Sequence, residues 1–131
     1  MTTAREAADL FQQYREELGF VNEAQCREKD LYVERRDGDV VGAALVNHCV
    51  RKPQTTLYDI AVAKTHRRVG IAELLIETVV QESPHEKIIA KCPVDLDANA
   101  FYESTGWNKQ NVEDGKNRAL NVWKYPIDTN E

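Results

Sequence analysis

Two apolar strands with a helix between them constrain this chain more than any other feature in it. TTLYDIAVA (55–63) is β-branched and apolar with little alternation, the pattern of a strand buried on both faces in the middle of a sheet. Ile71, Leu74, Leu75, Thr78 and Val79 then recur at helical spacing until Pro84 ends the pattern. EKIIAKC (86–92) follows as a further strand, closed by Pro93. Strand, helix and strand make a crossover that lays the two strands in one sheet with the helix over a face. At 131 residues there is one core to build around this unit, so the chain 1–131 reads as a single domain.

The flanks fill in a mixed α/β architecture. Thr3 and Glu6 have capping-box spacing, and Ala7, Phe11, Tyr14 and Leu18 form a helical stripe with Gly19 as its stop. A short helical turn is expected around Glu23–Arg27. LYVERR and VVGAALVNHCV flank a tight turn at Asp37-Gly38, a hairpin signature. Downstream, DLDANAFYESTG reads as a short helix capped by Asp95 or Asp97 and stopped at Gly106. WNKQNV and NRALNVWKYPI then pair around EDGKN. The result is a mostly antiparallel sheet with a central crossover and helices on its faces.

Charge is distributed unevenly. The formal net charge is -5, yet Lys64, His66, Arg67 and Arg68 crowd into the loop before the crossover helix. A helix N-terminus exposes unpaired N–H groups at the positive end of its dipole. Gly70 and small Ala72 allow close approach of an anion to that backbone, and arginine forks suit phosphate oxygens. The loop lacks the spacing of a Walker loop or of a dinucleotide fingerprint, so ATP and NAD are poor candidates. The remaining Lys and Arg are scattered among acids, so nucleic acid is not an expected partner.

Two motifs carry a resemblance. Arg67-x-x-Gly70-x-Ala72 fits the (Arg/Gln)-x-x-Gly-x-(Gly/Ala) signature of the GNAT N-acetyltransferase superfamily. ANAFYESTGW (98–107) resembles that family's second hallmark, Ala-Asn-x-Phe-Tyr-Glu-x-x-Gly-Phe. The resemblance covers about residues 31–126 and implies acetyl-CoA as donor co-substrate and a primary amine as acceptor, by direct attack without an acyl-enzyme. It implies that the pyrophosphate rests on the backbone of Arg67, Arg68, Val69, Gly70, Ile71 and Ala72. The pantetheine arm would run between two splayed strands, LYDIAVA and EKIIAKC. Main-chain N–H groups of Ile60, Ala61, Val62 and Ala63 would hold the acetyl oxygen.

The resemblance also assigns candidate side chains. Tyr102 matches a tyrosine that gives a proton to the departing thiolate; its other reading is a core tyrosine packed with Phe101. Asn99 matches a position that bonds the pantetheine or the local backbone, against a helix cap or surface residue. Asp59, the acid of the central strand, is the candidate base because burial raises a carboxyl pKa; structural pairing with Lys or Arg is the alternative. Cys92 has no histidine in a nucleophile pairing and reads as a small buried residue.

The chain departs from the family pattern in places. The usual opening strand is not visible, and residues 20–29 are short, which leaves the acceptor side open or completed by another subunit. Arg68, Ala72 and Asp95 replace commoner residues. The rival reading is a GNAT-shaped coenzyme A-binding module without turnover. His48, His66 and His85 lack ligand spacing, so no metal is expected. Three widely spaced cysteines and an N-terminus without a secretory pattern point to the cytoplasm, without a membrane span. A homodimer through sheet edges is expected.

Overall fold

The crossover is the centre of the structure. The computed structural model describes residues 3–14, 23–67, 69–115 and 118–126. Its elements are α1 (Thr3–Gln13), α2 (Glu23–Glu28), β1 (Asp30–Arg36), β2 (Asp39–His48), β3 (Gln54–Val62), α3 (Ile71–Glu82), β4 (Lys87–Pro93), α4 (Ala98–Ser104), β5 (Asn108–Asp114) and β6 (Ala119–Lys124). A 3-10 turn, Lys64–His66, stands between β3 and α3. The strands form one sheet in the order β1-β2-β3-β4-β6-β5, with β3 and β4 parallel and every other pair antiparallel. Among the described residues no helix is long and apolar enough to cross a membrane.

Local chemistry accounts for the joints. Asp37 and Gly38 both take positive φ (53° and 86°), the geometry of a two-residue turn whose twist suits a hairpin. β3 is buried on both sides as its composition requires. Ile60 and Val62 join the layer beneath α3 and α4, whereas Ala61 joins the layer beneath α1 and α2. Gly42 on β2 sets how closely α3 can approach. A Cβ there would stand 2.7 Å from Ile71 Cγ2 and 3.2 Å from Leu75 Cδ1, so only glycine lets the first turn of α3 settle on the sheet.

Several sequence expectations shift in detail. The buried stripe of α3 is Ile71, Leu75, Ile76 and Val79; Leu74 is exposed and Thr78 half-buried, because the spacing of four from Ile71 governs the contact. On α1, Ala7, Phe11 and Tyr14 are buried as the stripe predicts, while Leu18 and Gly19 lie outside the described residues. The Thr3–Glu6 pair does not act alone. Arg35 of β1 donates to Glu6 through both terminal nitrogens (3.0 Å each) and to Thr3 Oγ1 (3.2 Å), tying α1 to the sheet. That guanidinium holds the Glu6 carboxyl below the usual carboxylate range. Helix α4 starts at Ala98, and neither expected aspartate caps it: Asp97 makes no capping bond and Asp95 accepts from Arg118 at 3.0 Å. Gly106 follows its end with φ 88°, as expected of a stop.

Candidate active site

The site begins where a strand pair fails. Leu45 of β2 faces Asp59 while Val46 faces Leu57, so Tyr58 is an extra residue in β3, a β-bulge. A bulge bends its strand, and here β3 pairs with β4 only from Gln54–Lys87 to Leu57–Ala90. Beyond that point Tyr58–Val62 and Lys91–Pro93 make no ladder with each other.

The amides along this gap can be counted. The Ala63 N–H donates to Val41 O at 2.8 Å, and N–H direction alternates along a strand. Ala61 therefore points to β2 with Ala63, while Ile60 and Val62 turn their N–H groups to the open side. The Val62 carbonyl faces the same way and accepts Arg67 Nε at 2.9 Å. Of the four amides expected to serve the acetyl oxygen, Ala61 and Ala63 are taken by β2, which corrects that expectation to Ile60 and Val62.

Above the gap lies a cleft of about 660 Å³. Ile60–Val62 form its floor, His66, Arg67, Gly70 and the first turn of α3 one wall, and Ala98, Phe101, Ser104 and Thr105 the other. Gly70 takes φ 84°, and a Cβ there would meet only Glu73 Oε2, at 4.0 Å. The first helical bond is Leu74 N–H to Gly70 O, and no side chain caps the turn, so the Ile71, Ala72 and Glu73 amides precede the ladder. Val69 is 66% exposed and is not among the cleft-lining residues, and Arg68 lies outside the described residues.

Two residues to which the sequence reading gave no part in the site shape this loop. Tyr14, at the end of α1, accepts the Lys64 N–H on its hydroxyl at 2.9 Å. Its ring centroid lies 4.8 Å from the Arg67 guanidinium and 5.9 Å from the Lys64 ammonium. Fifty positions separate Tyr14 from Lys64, so no local pattern could join them. Glu73, third in α3, carries a carboxylate to the cleft beside the helix N-terminus, where the dipole favours it. Its place in the first turn was the available signal.

Asp59, Cys92 and Tyr102 sense one another's charge across the sheet, and none of the three is among the residues lining the cleft. Asp59 is half-buried and makes no hydrogen bond or ion pair with a described residue, so the alternative of a structural Lys or Arg partner is not what the fold provides. Burial pushes its pKa from 3.8 up to about 8. Burial first, with the charge of Asp59 adding to it, raises Cys26 of α2, Cys92 of β4 and Tyr102 of α4. Cys92 is pushed up to about 12, chiefly by burial, and so remains a thiol. Tyr102 is 2% exposed, with its ring against Trp107 (5.1 Å), Phe101 (5.4 Å) and Trp123 (6.1 Å). Burial first, then Cys92 and Asp59, hold its phenol well above the usual range.

Of the two partners expected for Asn99, the structure shows the local backbone. Its Nδ2 donates to Pro93 O (2.8 Å) and Leu96 O (2.9 Å), and its Oδ1 accepts from Asn121 Nδ2 and Trp123 Nε1 (3.0 Å each). Both amide protons and both lone pairs are engaged, so it fastens α4 to β4 and β6 and has nothing left for a ligand. No cluster of three or more His, Cys, Asp or Glu suited to a metal ion occurs among the described residues.

Comparison with known proteins matches this geometry to one family. The model of the acetyltransferase (GNAT) family matches residues 2–107. A 5-NmdU N-acetyltransferase of Pseudomonas phage PaMx11 is 28% identical over 89 residues, 67% of this chain and 64% of that protein, so the match spans less than two thirds of the relative. The ribosomal-protein-S18-alanine N-acetyltransferase of Escherichia coli superposes with a TM-score of 0.69 at 18% identity, covering 100% of this chain and 93% of its own. Diaminobutyrate acetyltransferase EctA of Paenibacillus lautus, solved with L-2,4-diaminobutyric acid and coenzyme A, gives 0.68 at 18% identity over 92% and 88%.

Proposed function

Because the chain belongs to the GNAT acetyltransferase family, we propose that it transfers acetyl from acetyl-CoA to a primary amine by direct attack of the amine nitrogen. One observation carries the reading: β3 and β4 part after Leu57–Ala90 and open on the cleft beneath the α3 N-terminus. The residues there fit the donor. Open space at Gly70 and the uncapped Ile71, Ala72 and Glu73 amides suit a pyrophosphate, with Lys64, His66 and Arg67 adding positive charge. Ile60 and Val62 turn N–H groups to the open edge of β3, which an amide-bearing arm can extend.

Asp59, the β3 amides, Tyr102 and Cys92 then each have a part. Asp59, near pKa 8, takes the proton that an ammonium must lose before it can attack. The Ile60 or Val62 amide steadies the oxygen on which negative charge develops. A C–N bond forms, the C–S bond breaks, the sulfur leaves with the electron pair, and the second proton shed by the nitrogen ends on that sulfur as the free thiol. Tyr102 stays protonated at working pH, so its part is to hydrogen-bond that sulfur rather than to ionise. Cys92, held as a thiol, is a poor nucleophile, which supports direct attack over an acyl-enzyme. The name of the phage relative supports nitrogen as the acceptor atom.

Thiol release from acetyl-CoA, followed across a panel of primary amines, tests the reading. Amine-dependent release that falls sharply in Asp59→Asn is expected. Binding of acetyl-CoA without release for any amine would replace the enzyme with a binding module.

A further inference from the structure

The two faces of the sheet are covered unequally. Helices α3 and α4 lie over β2, β3 and β4 on one side. On the other, α1 and α2 pack on β1, β2 and β3, and no described helix packs on β4, β6 or β5. Residue alternation tells what this bare half-sheet presents. Ile88, Ala90 and Cys92 belong to the α3/α4 layer, so Lys87, Ile89 and Lys91 face the open side. Cross-strand partners share a face: Lys124 stands beside Ile89, Val122 beside Lys91, and on β5 Asn108 and Asn111 beside those two.

Lysines far apart in sequence are thereby gathered in space. Lys52, Lys87 and Lys91 ring a groove of about 250 Å³ floored by Ile89 and Val122, with Gln54, Gln110 and Asn111 on its walls. Lys52, Lys87 and Lys124 are exposed and make no ion pair with a described residue; Lys91 pairs with Glu113 at 2.7 Å. Four cations against one acid make a positive patch, and at physiological salt a charge acts over only about 8 Å, so distant acids do not cancel it.

The patch runs into the proposed active site. Lys91 is the first β4 residue past the last β3–β4 pair, at the mouth of the gap. Asp59 opens on the same side, since Ala61, two residues on, packs toward α1. Tyr58, the bulged residue, lies beside it with the Lys29 ammonium 5.0 Å from its ring centroid. Cations, carboxamides and a half-buried aromatic side by side on a sheet face suit phosphates, base edges and a base plane respectively.

We propose that this half-sheet binds single-stranded nucleic acid and presents an amine carried on it to Asp59. The inference rests on the acetyl-transfer reading above, whose acceptor class it names. The amine enters the same step already described, with Asp59 receiving its proton.

The test uses a fluorescein-labelled 12-nucleotide single strand bearing one internal primary alkylamine, with a free alkylamine beside it. Anisotropy is expected to show binding whose log–log salt slope is about -2, as three neutralised phosphates give on a single strand. Lys52→Glu/Lys87→Glu, both surface changes, should weaken that binding at least about ten-fold and leave acetyl-CoA affinity by calorimetry unchanged. Absence of binding at low salt, an affinity indifferent to the charge reversal, or equal displacement by polyglutamate would each overturn the proposal. Thiol release separates it from the reading beneath. An oligonucleotide amine preferred over the free amine in kcat/KM supports it, and equal kcat/KM overturns it while acetyl transfer stands. Release from neither amine overturns acetyl transfer and, with it, the presentation of an amine.

Discussion

Asp59→Asn should make the protein more stable and less active at once, and the size of both effects follows from one carboxyl. In the folded chain its pKa is about 8, against 3.8 for the free side chain. Between those values the folded state keeps a proton that the unfolded state has lost, so stability falls as pH rises through this window. At pH 7 the full shift corresponds to a penalty of about 4 kcal/mol. Solvent reaches the half-buried carboxyl from the gap, which brings the expected effect to about 2 kcal/mol. Asparagine, uncharged and of the same shape, removes the penalty. Melting followed by circular dichroism should show a Tm raised by roughly 6–10 °C at pH 8, shrinking toward zero as the pH falls below 3.8, where both states hold the proton. In the wild type, kcat/KM should rise with pH and level off above about 8. In the variant it should drop about 10²- to 10⁴-fold and lose that inflection. A variant that melts lower than wild type at pH 8, or that keeps the inflection, would refute the reasoning, because Asp59 would then be a paired structural carboxylate.

Three further outcomes are expected. Tyr14→Phe removes the acceptor of the Lys64 N–H, and loss of about 1 kcal/mol should raise the KM for acetyl-CoA roughly five-fold with kcat nearly unchanged. Gly42→Ala places a methyl 2.7 Å from Ile71 Cγ2; overpacking of about 1–3 kcal/mol in urea unfolding should accompany weaker acetyl-CoA binding, since the displaced turn carries the cleft amides. Tyr102→Phe keeps the three-ring packing, so Tm should hold while kcat falls about ten-fold or more and acetyl-CoA affinity does not change.

What was legible in the sequence was what local pattern controls. The apolar run of β3, the helical stripe after Gly70 and the Asp37-Gly38 turn each report their own conformation, and together they forced the crossover and the hairpin. The anion loop was legible for the same reason, since Gly70 and the helix start are neighbours in sequence. The Tyr58 bulge was not: nothing in TTLYDIAVA marks the extra residue, which exists only relative to Leu45 and Val46 on another strand. Amide direction follows from that pairing, so the division of Ile60 and Val62 from Ala61 and Ala63 had to wait for it. The sequence left Asn99 between pantetheine and local backbone because its deciding partners Pro93, Asn121 and Trp123 come from two other strands. The gathering of Lys52, Lys87 and Lys124 is likewise a product of strand order, invisible in a chain where the three lie far apart.

The central claim is that the gap between β3 and β4, roofed by the Gly70 turn, seats acetyl-CoA. Isothermal titration of acetyl-CoA into the wild type and into Gly70→Trp tests it most directly. Tryptophan at φ 84° strains the turn and fills the open space before the α3 amides. The account predicts one-to-one binding to the wild type and none to the variant, with the same circular dichroism for both. Undiminished affinity in Gly70→Trp would contradict it.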